Sequence, residues 1–423
     1  MDGDIVAIDS YLYGNTATDE MIMSAVSSIV PNEDMFSTLS ENEPFSNQYK
    51  LCVPMRIKGE MSHILIELAF HYIAKVIVAA YCNDTNCDPF ENSVAERSIK
   101  NLQPKIEKNY FQEVYERYEY ATMQLQNYID GEDNTTNNII QHCFFLAKLD
   151  ICYRKAAIPS DLSQFFTPAT SDEVTEIREM ALKFGKSFIP RVLRPESKII
   201  FNPNFGFGEC LIGETECDMI IDKTIIDLRT DIGTSYPRDR VTKSMVHFIL
   251  TEINRDFGNK ENAFPIDNLV FYSARYGETE ILSLEDIGTY DIDKAVNKFI
   301  LATNAEHKFD QMIAREKYHS NVNTTNTKTS QPQNIQSHNY SDGYEDVDRQ
   351  DYHDGYNQVV KKKNKHTFRK ILIFIIVISI LTIAFVYAKD YYTQNFGNDY
   401  SINSILHNLF GMDIWLSISF YEL

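Results

Sequence analysis

The chain has 423 residues, enough for one large or two modest domains, and its 43% hydrophobic content can supply a well-buried core. A formal net charge of −20 argues against a broad nucleic-acid-coating role, because the bulk of the chain repels polyanions at long range. Seven cysteines without a CxxC pair argue against a zinc ribbon or a disulfide framework, and fit a reducing compartment.

The first residues, MDGDIVAIDSYLYG, are acidic and lack the basic start and apolar core of a secretion signal. Residues 1–58 read as an irregular arm with one helix near Glu20–Ile29. A helical region follows over 59–197. Between Gly59 and Tyr81 the chain is strongly apolar, but His63, Glu67, His71 and Lys75 recur at i, i+4 steps. That spacing predicts a polar stripe on a buried helix and argues against a membrane span. His63, Glu67 and His71 could also be read as metal ligands. Because the two histidines sit two turns apart, a hydrogen-bonded stripe is the simpler reading.

Phe111, Val114, Tyr115, Tyr118, Ala121, Leu125 and Tyr128 form a second helical stripe, facing a core. A loop over Gly131–Asn138 precedes a third helix, Ile139–Lys155, with Cys143 and Cys152 as buried thiols. The fourth helix spans Ser171–Phe184. Thr170 and Glu173 make its capping box, and Gly185 is a plausible stop.

Over 198–317 the apolar period shifts and predicts an α/β core. Lys198–Gly213 (KIIFNPNFGFGECLIG) and a hairpin within Thr215–Asp231 read as strands. After Pro237 comes a helix at about 240–256, then strands Asn268–Ser273 and Thr279–Leu284, and a last helix from Asp291 to about Lys317. Residues 318–360 are rich in polar side chains and poor in aliphatics, which predicts a disordered linker.

A basic segment, 361–370 (KKKNKHTFRK), precedes Ile371–Ala388, 18 residues without a charge. As a helix the latter is about 27 Å long, slightly short of a bilayer core, with Arg369, Lys370 and Lys389 placed to snorkel. We read it as a single transmembrane helix. The positive-inside rule then places the N-terminal domain in the cytoplasm and the tail, 389–423, outside. The basic run suits anionic lipid headgroups. A lipid membrane is thus one expected partner, and the tail, with Ile402, Ile405, Leu406, Leu409 and Phe410 at helical spacing, either lies on the outer membrane surface or docks onto an unidentified protein partner.

The hairpin TECDMIIDKTIIDLRTD carries the chemistry. With a two-residue Asp222-Lys223 turn, Ile220 faces Ile225, Asp218 faces Asp227, and Glu216 faces Arg229. Alternation puts Glu216, Asp218, Asp227 and Arg229 on one side of the ribbon, and Met219, Ile226 and Leu228 on the other. Facing aspartates repel, and a divalent metal is the usual reason to keep them.

The order of Asp-bearing strand, Asp-x-basic strand, helix and strand resembles the PD-(D/E)XK nuclease superfamily, the restriction-endonuclease-like fold. LAKLDICYR (Leu146–Arg154), FNPNFGFG (Phe201–Gly208), the hairpin and LVFYSARYGETEILSL (Leu269–Leu284) carry the likeness. The resemblance implies that Asp218 and Asp227 are the metal-binding carboxylates for Mg²⁺, which activates water against a phosphodiester of DNA. Arg229 falls on the lysine position. Guanidinium can stabilise charge but cannot act as a base. A second departure is Ser244 and Phe248, where related sequences often carry glutamine and tyrosine.

Two readings stay open. In one the chain is a membrane-tethered nuclease-like protein, with Asp218, Asp227 and Arg229 as its catalytic residues and activity weakened or lost. In the other it is a non-catalytic binding or scaffold domain at the membrane. Arg229 either assists the metal or replaces it by pairing with Glu216, Asp218 and Asp227.

Overall fold

The computed structural model describes residues 14, 16–82, 88–132, 136–258 and 260–313. The linker, the basic run, the expected membrane span and the tail lie outside the described residues. The described part is α/β. A six-stranded mixed sheet runs in the order β1-β6-β5-β4-β3-β2, with helices against both faces.

Strands β2 (Ile199–Phe201), β3 (Met219–Ile221) and β4 (Thr224–Arg229) form an antiparallel meander. Its tight turn pairs Ile221 with Thr224 and Ile220 with Ile225, as the sequence predicts. Asp222 holds the turn with a left-handed φ of 54°. Its carboxylate accepts from the Lys198 amide at 2.9 Å and the Ser197 hydroxyl at 3.0 Å, tying the turn to the edge strand. The chain then crosses over and returns as β5 (Asn268–Ser273), parallel to β4. A turn through Gly277 leads to antiparallel β6 (Glu278–Ser283).

The N-terminal arm is more ordered than its composition predicts. It holds helix α1 (Ala17–Ser27), capped by Thr16 and Asp19, and a two-residue strand, β1 (Ser37–Thr38), on the outer edge of β6.

Side-chain alternation along the central strands builds two cores. Met219, Ile221, Ile226, Leu228, Val270 and Tyr272 face the helical region. That layer consists of α2 (Glu60–Tyr81), α3 (Val94–Leu102), α4 (Lys108–Ile129), α5 (Thr136–Arg154), α6 (Ser171–Ser187) and short α7 (Ile189–Val192). Among the described residues α2 alone is long and apolar enough to cross a membrane, but it is the buried centre of this layer. Ile220, Ile225, Leu269, Phe271 and Leu282 face the opposite way. They pack on α1, α9 (Arg238–Asp256) and α10 (Thr289–Thr303). The boundary at 197/198 is therefore a change of element type, not of packing. One apolar cluster runs from Val53 to Ala274 across it.

Three expectations change. Residues Phe207–Ile212 form a short helix, α8, rather than a strand. Phe207, Gly208, Leu211 and Ile212 are buried at helical spacing, and Gly208 lets its backbone rest on Leu250 of α9. Gly185 does not stop α6, which runs on to Ser187. The last helix starts at Thr289 and is interrupted at left-handed Asn304 before helical residues 305–313.

Candidate functional site

The site forms where β3 and β4 stop being paired. Ladder pairing ends at Met219 with Ile226. Upstream of it, the segment 213–218 swings off the sheet toward α3 and α5. Asp218 is the hinge of that departure. Its carboxylate accepts from the Leu228 amide at 3.1 Å, so Asp218 and Asp227 remain neighbours as the register predicts. A backbone donor and a strand end thus position the first aspartate, and the central strand positions the second.

The cations around them come from helices. His71, on α2, places Nδ1 3.0 Å from Asp218. Glu67, one turn earlier, lies 3.9 Å from His71 Nε2. Arg240, in the first turns of α9, donates to Asp227 at 3.0 Å and to the Leu228 carbonyl at 2.7 Å, and also pairs with Glu67. Lys75, a further turn along α2, is 7% exposed and donates to the Asn202 side chain at 2.7 Å. Asn202 is itself pinned by its amide to the carbonyls of Pro89 and Glu91.

Electrostatics follow from burial and these partners. Burial alone would push the Asp218 carboxyl up, but His71, Lys75 and the Leu228 amide outweigh it and hold the group far below the usual carboxylate range. Burial opposes charge on the His71 ring, yet the Asp218 carboxylate and then Glu67 raise its pKa. Asp227 moves the other way. Burial raises it, and Asp218 adds to the rise against the pull of Arg240. Burial also lowers Lys75, which Asp218 and Asp150 only partly oppose. The pair is thus split: Asp218 is firmly ionised, and Asp227 depends on Arg240.

Arg229 is not part of this cluster. In the expected register it faces Glu216 and reaches both aspartates. The structure instead buries it, 2% exposed, with its guanidinium donating to the Gly233 carbonyl and 3.5 Å from Asp231. The reason is the early end of β3: the cross-strand position that Glu216 was to fill is never built. Glu216 pairs with Arg154 and lies 3.9 Å from Arg97. Arg240 holds the place that the sequence reading assigns to Arg229. Ser244 and Phe248 are both buried in α9 and lie within its packing.

Beside Asp218 opens a polar cavity of about 120 Å³, between α2, α3, α5 and the segment 202–218. Asp150 on its wall accepts from Tyr72 at 3.1 Å and pairs with Arg154. Glu214 accepts from Arg97 at 2.8 Å and from Tyr153 at 2.6 Å. Behind the wall, His247 holds Thr215 at 2.7 Å and stacks on Phe205 with rings 5.2 Å apart. Burial presses the His247 pKa down to about 3, so it is a neutral ring that fixes the segment carrying Glu214 and Glu216.

Sequence reading missed Glu67, His71, Lys75 and Arg240 as site residues. The i, i+4 stripe on α2 is the visible signal: the sequence offers metal ligation by His63, Glu67 and His71 as one reading and a hydrogen-bonded stripe on a buried helix as the simpler one. His63, at the head of the stripe, is not bonded to either aspartate.

A divalent ion needs oxygen ligands free to converge on it. Asp227, Glu67 and the Leu228 carbonyl do converge, but on the Arg240 guanidinium. Among the described residues no three His, Cys, Asp or Glu side chains are arranged to hold a metal. As folded, the residues present do not fit Mg²⁺, since a second cation would have to share the space of the first. No protein-family model, curated protein or solved structure matches this chain.

Proposed function

We propose that the chain is a nuclease-like α/β domain tethered to a membrane, whose strand-cutting chemistry is lost or strongly weakened. The topology supports the first half: an antiparallel meander bearing Asp218 and Asp227, a crossover helix and a parallel strand follow the order that the resemblance implies. The observation that carries the second half is Arg240, bonded at once to Asp227, Glu67 and the Leu228 carbonyl. A guanidinium there supplies the positive charge of a metal without its ability to lower the pKa of water. Arg229, turned away to Gly233, gives no compensating group.

The tether rests on the uncharged run 371–388 behind six Lys/Arg, and the acidic body suits a docking domain better than a DNA-coating one. On this reading the fold serves at the membrane as a binding platform. The test is the full-length chain in detergent, incubated with plasmid DNA and Mg²⁺ or Mn²⁺. Intact plasmid is expected. Nicking that disappears in Asp227→Ala would overturn the proposal in favour of an active, DNA-cleaving enzyme. Membrane attachment is tested separately: carbonate-resistant pelleting of the full chain is expected, and release by carbonate would remove the tether.

A further inference from the structure

Between Glu43 and Glu60 the chain has no acidic residue, although 60 of its 423 residues are acidic, and it carries Lys50, Arg56 and Lys58 there. This stretch runs from the turn after β5 to α6. The amides of Cys52 and Val53 donate to the Arg275 carbonyl at 2.9 and 3.0 Å. Arg56 then donates its amide to Glu176 and its guanidinium to Glu179, both at 2.8 Å. On α6, Glu179, Leu182, Lys183 and Lys186 recur at i, i+3, i+4 and i+7, so they share one face. The Arg56–Glu179 bond places that face beside the stretch. Lys183 lies over Gly277, where an added Cβ would collide with its side chain, and Cys52 Sγ is 3.5 Å from the adjacent Tyr276 carbonyl. The two segments therefore meet over one turn.

The surface they form combines two properties. It exposes three large apolar side chains: Leu51 at 45%, Met55 at 36% and Leu182 at 54%. It also carries Lys50, Lys58, Lys183 and Lys186, none of which has a carboxylate within ion-pair distance among the described residues. The nearby acids are engaged: Glu179 by Arg56, buried Glu176 by Arg275, and Glu278 by Ser40 and Asn42. A single exposed apolar residue needs no explanation, and a solvated helix face accounts for unpaired lysines. Three apolar side chains beside four unpaired cations form the pattern of an interfacial surface.

We infer that this surface docks on an anionic lipid bilayer, with Leu51, Met55 and Leu182 entering the headgroup layer and the four lysines meeting lipid phosphates and carboxylates. Charge selects the occupant: an apolar partner would leave the lysines unmet, whereas anionic headgroups over an acyl layer answer both features. The net charge of −20 does not forbid it, because charges farther off than about 8–10 Å are largely screened. The inference rests on the membrane reading for proximity. Residues 314–370 separate the folded part from the uncharged run, and as a flexible coil they span about 40 Å. Docking then fixes which side of the tethered domain faces the bilayer.

Cys52, exposed on this surface, reports docking directly, and exposed Cys210 on α8 is the internal control. The full-length chain is mixed with excess bilayer nanodiscs, of phosphatidylcholine alone or with about one-third phosphatidylserine. A water-soluble maleimide and peptide mass spectrometry then read both cysteines. Cys52 labelling is expected to fall about fivefold or more in the anionic discs only, with Cys210 unchanged. Each basic residue near an anionic surface is worth about fivefold in binding, so Lys58→Gln with Lys186→Gln should lower the docked-to-free ratio about 25-fold and return Cys52 to its rate in phosphatidylcholine. Both lysines are exposed, so the variant keeps the fold.

Equal labelling in the two kinds of disc, whether fast or slow, overturns the inference. Slow labelling in detergent as well would mean that the surface is covered by the chain itself, with the acidic stretch 342–354 as the candidate cover, and would overturn it too. Carbonate release of the chain removes the tether but not this readout, because excess discs still offer a surface. Failure here and failure of the membrane reading are therefore distinguishable.

Discussion

Arg240 on α9 donates to Asp227 on β4 at 3.0 Å, and through its other nitrogen it pairs with Glu67 on α2. One guanidinium therefore joins the two helical layers across the end of the sheet. Removing it leaves Asp227 beside Asp218 with its main counter-charge gone. Arg240→Ala is expected to destabilise the chain by about 2–4 kcal/mol in urea unfolding, because a largely buried charge loses its partner. Mn²⁺ should restore part of that loss in the variant and none in the parent chain. An Arg240→Ala protein as stable as the parent would show that the guanidinium is not what holds the carboxylates.

His71 and Asp218 set opposite limits on stability. The His71 pKa is raised in the folded chain, so its contribution is fully present below about 6.5 and is lost as pH rises through its higher folded value. The Asp218 pKa is depressed, so its contribution is present above about 3.9 and is lost as pH falls toward its folded value. Urea midpoints across the range should show both slopes. His71→Gln should remove the alkaline one and cost about 3 kcal/mol at pH 6, where the parent pair is charged.

Glu280 on β6 is fully buried, with the Tyr49 hydroxyl and Arg229 as its polar neighbours. Burial pushes its pKa up to about 7 against the attraction of Arg229. The unfolded chain ionises it first, so stability should fall as pH rises from about 4.5 to about 7, by up to about 3 kcal/mol. Glu280→Gln should flatten that decline and be the more stable protein at pH 8. Thermal melts of the two chains at pH 5 and pH 8 check the sign, and an unchanged slope would remove Glu280 as its source.

Gly208 is the contact point between α8 and α9. A Cβ there would sit 3.0 Å from the Leu250 Cβ and 3.1 Å from the Leu250 carbonyl oxygen, neither of which is a free side-chain end. Gly208→Ala should lower stability by about 1–3 kcal/mol, as overpacking does. Equilibrium unfolding in urea measures it, and a neutral result would mean that α8 can back away from α9.

The turn at Asp222, the strand pairs Ile220–Ile225 and Ile221–Thr224, β5 to the residue, and the Thr170–Glu173 capping box were all legible in the sequence. Each is set by neighbours a few positions apart: period, turn chemistry or a cap. Arg229 was misplaced because extrapolating a register assumes that both strands continue, and only the tertiary pull of α3 and α5 on Glu214 and Glu216 shows that β3 does not. Arg240 and Glu67 lie 173 residues apart, and nothing local marks them as a pair. Phe207–Ile212 was read as a strand because six apolar-rich residues carry too little periodicity to distinguish the two.

The two-residue strand β1 has a wider significance than its length suggests. Ser37 pairs with Ile281, 244 residues downstream, so the sheet closes between its first-made and last-made strands. During synthesis the arm emerges early and has no edge to bind until β6 is complete. The final closure therefore spans a very long loop, and it comes late in folding because its entropy must be met by contacts formed beforehand. Until then β6 presents bare amides and carbonyls, which is when a neighbouring nascent chain could pair in place of the arm.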